Sequence, residues 1–91
     1  MGITALPFGH RVARLMAAVS ELDTRLDAAI ASGDDHRICT VYGDIANWHR
    51  EQGNTDGACF FWTQALVYAM VDGDDRAESG LRDLLAQHGR V

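Results

Sequence analysis

Gly33, Gly53 and Gly73 stand twenty residues apart, and each closes a stretch whose apolar residues recur at helical spacing. Helices commonly end on a residue in the left-handed conformation, where an L side chain meets a Cβ clash and glycine does not. Within two residues of each glycine comes a side chain able to cap the next helix: Asp34 or Asp35, Asn54 or Thr55, Asp74 or Asp75. The spacing predicts an all-α chain of four antiparallel helices reversing at short turns. Proline, the residue that would interrupt such helices, occurs once, at Pro7.

The first helix is expected to begin between Phe8 and Arg11 and to run to Ser32, after a flexible N-terminal segment of residues 1–8. Val12, Leu15, Val19, Leu22, Leu26 and Ala29 alternate steps of three and four, the seam of a coiled coil or bundle helix. Met16 and Ile30 widen that stripe, and Arg14, Glu21, Arg25 and Asp27 occupy the opposite face. The second helix spans about 35–52, with Ile38, Val41, Tyr42, Ile45, Ala46 and His49 on one side. The third, about 55–71, is apolar over most of its circumference. Such a helix is either central in its bundle or offers a second face to a partner. The fourth spans about 75–88, opens with a capping box from Asp75 to Glu78, and carries Leu81, Leu84 and Leu85.

An offset of 40 aligns Leu26 with Leu66, Ala29 with Ala69, Gly33-Asp34-Asp35 with Gly73-Asp74-Asp75, and Ala46 with Ala86. Repetition at this length marks stacked helical hairpins, although shared turn chemistry would give part of the same identity. Within 42–71, Tyr42, Ile45 and Ala46 precede the turn at Gln52-Gly53-Asn54, and Ala58, Trp62, Ala65 and Leu66 follow it. This stretch resembles a tetratricopeptide repeat. The alanines would let two antiparallel helices approach closely, while Tyr42 and Trp62 fill the space between them. His49 stands where the family usually has Tyr, and Met70 where Pro commonly ends the unit. The resemblance covers a third of the chain and implies a single 91-residue domain in a helical-hairpin array, too short for a long superhelix.

Ninety-one residues make one domain, and a hydrophobic content of 47% supports a core. The net charge of −5 argues against nucleic acid, whose binders need a basic stripe. No apolar run reaches the roughly 20 residues of a membrane span, and no signal peptide or myristoylation site is legible, since Leu6 stands where an acceptor hydroxyl is required after Gly2. A cytoplasmic location follows as the expectation. The eight basic residues are all arginine, and with abundant Ala, Gly and Asp this suits a GC-rich bacterial genome.

Cys39 and Cys59 read as reduced, buried residues too far apart along the predicted helices for a disulfide. His36 and Cys39 share one helix face, and His49 and Cys59 meet across a turn, but zinc needs three or four converging donors. No metal, cofactor or catalytic set is expected. The aspartates at the turns lack calcium-loop spacing and serve as caps. The function expected is therefore a non-enzymatic protein–protein interaction module holding a peptide or helix of another protein. The resemblance places Asn47, Arg50 and Glu51 on a groove-lining face, with Asn47 where peptide-clamping members grip a ligand backbone. The clamp lysines are absent; Arg50 or Arg37 would take their place as anion partners. Phe60, Phe61 and Trp62 cannot all turn inward from one helix. Either the first or fourth helix covers the two phenylalanines, or they and Trp48 form a partner patch. The alternative function is a structural homodimer, associating through the long first helix or the aromatic face of the third.

Overall fold

The computed structural model describes residues 7–90, with side chains from Val12 onward, and contains four helices in sequence: α1 (Pro7–Ser32), α2 (Asp35–Glu51), α3 (Thr55–Asp72) and α4 (Asp75–Gln87). No strand is present among the described residues. Pro7 and Phe8, expected in a flexible segment, already belong to α1, in keeping with the tolerance of a first helical turn for proline. Residues 1–6 lie outside the described residues.

The turns are built as the glycine spacing requires. Gly33, Gly53 and Gly73 all have φ between 69° and 79°. Asp34, Asn54 and Asp74 are the N-caps, accepting hydrogen bonds from His36 and Arg37, from Gly57, and from Ala77 backbone N–H groups respectively. This corrects the expected capping box. With Asp74 rather than Asp75 as the cap, Glu78 falls one residue too late to close it, and pairs instead with Arg82 at 3.1 Å.

Each helix packs chiefly against its neighbours in sequence, α1 on α2, α2 on α3 and α3 on α4, with the α2–α3 interface the most extensive. Ala46, Ala58, Ala65 and Ala69 are fully buried, so small residues let α2 and α3 approach closely. One core cluster joins Ala46, Ala58, Cys59, Trp62, Leu66 and Leu85, binding α4 to the central hairpin. The other joins Ala29, Ile38, Val41 and Ile45 and draws in Leu22 and Leu26, binding α1 to α2. Phe61 packs against both. An ion pair between Arg25 of α1 and Asp44 of α2 adds a polar tie on the surface. The offset-40 correspondence holds at the turns and at Ala29 and Ala69, both buried, and lapses at Ala86, which is exposed where Ala46 is buried.

The close crossing makes a direct prediction. Ala58→Leu inserts three carbons where the alanine has no exposed surface, and is expected to destabilise the protein by about 1–3 kcal/mol in chemical denaturation.

The helices form a strip. Its extents are 57 × 32 × 15 Å. In so thin a layer parts of α1 and α3 stay open to solvent.

Candidate functional site

Apolar side chains remain on those open parts. At α1, whose 26 residues span about 39 Å, the seam is used only in part. Leu22, Leu26 and Ala29 pack on α2, whereas Val12 (40%), Met16 (66%) and Val19 (39%) are exposed. The sequence expectation of a continuous buried stripe is thus met in the C-terminal half of α1 alone, because α2 is nine residues shorter. At α3 the circumference divides cleanly. Ala58, Trp62, Ala65 and Ala69 face inward, and Phe60 (57%), Val67 and Val71, which share one side at helical spacing, face solvent. Both consequences of an all-round apolar helix apply here: α3 is central, and it presents a second face.

Between these surfaces lies a pocket of about 140 Å³, lined by Val19, Leu22, Asp23 and Leu26 of α1, Ile45, Trp48 and His49 of α2, and Phe61 of α3. A shallower depression of about 390 Å³ runs along α1 past Leu15, Met16, Ser20, Thr24 and Asp27, and shares Val19 and Asp23 with the first. The two form one apolar groove with acidic edges. A row of rings starts in its lining and runs out of it: Trp48 meets His49 edge-on at 5.0 Å, His49 stacks on Phe61 at 5.1 Å and 9°, and Phe60, outside the lining, meets Phe61 edge-on at 5.0 Å. Behind the groove Tyr42 stacks between Phe61 and Tyr68, and burial followed by the charge of Tyr68 pushes its phenol pKa up.

His49 holds the row together, and its orientation has a visible cause. Its Nδ1 lies 3.2 Å from the Asn54 side-chain amide, which in turn accepts the Gly57 N–H. A Cβ on Gly57 would come within 3.0 Å of His49 Nδ1 and closer still to Asn54, so a side chain there would displace the Asn54–His49 pair. In the sequence His49 departs from a repeat pattern and faces Cys59 across the turn; Asn54 and Gly57, five and eight residues on, are the signal that it bridges that turn.

Of the candidate residues, Trp48, Phe60 and Phe61 are brought together. Phe61 is half-buried and Phe60 open, so neither outer helix covers both. Arg50 is directed elsewhere: its guanidinium lies 5.4 Å over the ring of Trp62, which also stacks on His88 of the C-terminal turn. It shields the buried indole rather than facing the groove. Asn47 is half-buried and Glu51 exposed, and neither forms a side-chain hydrogen bond among the described residues. Arg37 lines a separate depression with Arg25, His36 and Thr40.

The cysteines are free thiols, Cys59 buried and Cys39 half-buried. Burial, and then the carboxylates of Asp74 and Asp72, push the Cys39 pKa up, which keeps that thiol protonated and unreactive. No helix among the described residues is long and apolar enough to cross a membrane. Comparison with family models, with curated proteins and with solved structures finds no match.

Proposed function

We propose that this chain is a non-enzymatic protein–protein interaction module of the tetratricopeptide-like hairpin type, working in the cytoplasm. Its groove between α1 and the α2–α3 hairpin would receive an amphipathic helix of another protein. The observation that carries this reading is the aromatic row Trp48–His49–Phe61–Phe60, flanked by exposed Val12, Met16 and Val19. Monomeric proteins rarely leave contiguous apolar surface open, and aromatic anchors in shallow pockets dominate the energetics of interfaces. The partner's charge follows from the rim. Asp23 and Asp27 edge the groove, while Arg25, between them in sequence, is engaged by Asp44. An apolar stripe bordered by basic residues complements that edge, and a nucleic acid does not.

The second reading is a homodimer, supported by the same exposed half of α1, whose three-four spacing suits pairing with a second copy. Light scattering over a range of concentrations separates the two. A monomer at micromolar concentration favours a foreign helix, and a dimer that persists on dilution favours self-association. Phe60→Ala and Met16→Asp are expected to leave the thermal midpoint nearly unchanged, since both side chains are exposed, and to abolish capture of the partner. Glu51→Ala serves as a surface control that retains it. Binding unaffected by both groove variants would overturn the reading.

A further inference from the structure

The fold gathers a group of potential metal ligands at the opposite end of the central hairpin from the Gly53 turn. His36 lies in the first turn of α2, Asp72 ends α3, and Asp74 caps α4. Antiparallel packing sets the start of α2 beside the end of α3, so side chains 36 and 38 residues apart in sequence meet. His36 Nδ1 lies 3.6 Å from Asp72 Oδ2 and 3.9 Å from Asp74 Oδ2, and the three donor atoms fall within 4.8 Å of one another.

We propose that His36, Asp72 and Asp74 form a binding site for a divalent transition-metal cation, of which zinc is the type. Four-coordinate zinc with bonds of about 2.0–2.2 Å to nitrogen and oxygen places neighbouring donors about 3.3–3.6 Å apart. The His36 separations of 3.6 and 3.9 Å lie near that spacing, and an inward movement of the side chains would bring the whole set, now within 4.8 Å, to it. The donor set also has the right character. A pair of surface carboxylates alone would attract calcium or magnesium weakly and without selectivity. An imidazole nitrogen directed at both carboxylates adds the borderline donor that favours zinc over those hard cations.

Two further features support the assignment. Asp74 is already oriented, because its Oδ1 accepts the Ala77 N–H and leaves Oδ2 facing His36. A ligand held by an outer hydrogen bond in this way is pre-positioned for coordination. Among the described residues, no arginine forms an ion pair with either aspartate, and His36 is their basic neighbour. A bound cation would relieve the mutual repulsion of the carboxylates and tie α2 to the α3–α4 turn. Three protein donors leave a fourth position for water.

The test is titration of the chelator-treated full chain with zinc by calorimetry and with cobalt by visible absorption, alongside His36→Ala, Asp72→Asn and Asp74→Asn. Asparagine caps helices as well as aspartate does, so the Asp74 variant removes charge and keeps the turn. Circular dichroism checks that each variant retains its helices. The expected result is a one-to-one complex with a four-coordinate cobalt spectrum, a raised thermal midpoint, and an affinity at least about tenfold lower in each variant. Excess calcium or magnesium should not displace the metal. No saturable binding, equal affinity in His36→Ala, displacement by calcium at parity, or thiolate charge-transfer bands from the cysteines would each overturn the site. None of these outcomes depends on the groove at the other end of the hairpin, so the proposed function stands or falls separately.

Discussion

Trp62→Ala is expected to remove about 3–5 kcal/mol of stability, the largest effect of any single truncation in this chain. The indole is 1% exposed and belongs to the cluster that joins α2, α3 and α4. Its removal leaves a cavity bordered by Ala46, Ala58 and Leu85, where the fixed alanines cannot extend to fill the space. It also strands Arg50 and His88, which pack on the ring. A domain of this size is stable by about 5–14 kcal/mol in total, so the variant should lose roughly a fifth of its margin at the least. Urea denaturation followed by circular dichroism reads the change directly. A midpoint shift equivalent to less than about 1 kcal/mol would mean that Trp62 is not the keystone its burial indicates.

Leu85→Ala should cost about 2–5 kcal/mol, but with a different spatial signature. Leu85 is the one fully buried residue of α4, and α4 packs chiefly on α3. The half-buried Leu81 and Leu84 hold the rest of that contact. Once Leu85 is truncated, α4 should detach as a unit before the α2–α3 hairpin opens. Hydrogen exchange is then expected to accelerate across Asp75–Gln87 while protection in α2 and α3 falls much less. Uniform acceleration across all four helices would show that the domain opens only as a whole.

The helices were legible in the sequence because their limits are local chemistry. Positive φ at Gly33, Gly53 and Gly73, and capping carboxylate or amide oxygens at Asp34, Asn54 and Asp74, depend on a few adjacent residues. The close-packed alanines and Trp62 were legible for a similar reason, since the apolar period of one helix marks the side it buries. What one helix's period cannot give is the length of its neighbour. The α1 seam continues toward Val12, and only the shorter α2 leaves that part open. Phe60 and Phe61 differ by one residue, and their fates turn on the direction of α3 as it leaves the Gly53 turn. Arg50 looked like a surface cation free for a ligand; its preference for the face of Trp62 required knowing where the indole edge emerges. The grouping of His36 with Asp72 and Asp74 was equally hidden, because its members sit on elements joined only by tertiary packing. In the sequence the two aspartates look like cap residues, and Asp74 is one.

Because contacts run from each helix to the next, with little between distant ones, the chain behaves as a short one-dimensional lattice. Few distant segments must find one another before favourable packing begins, so the loop-closure entropy ahead of the folding barrier is small. Folding should therefore be fast for a protein of this length and begin at the α2–α3 pair, zipping outward in both directions. Unfolding should run in reverse, from the two ends inward. A partner seated on α1 would then act as an end cap, raising the protection of the terminal helix without altering the fold of the centre.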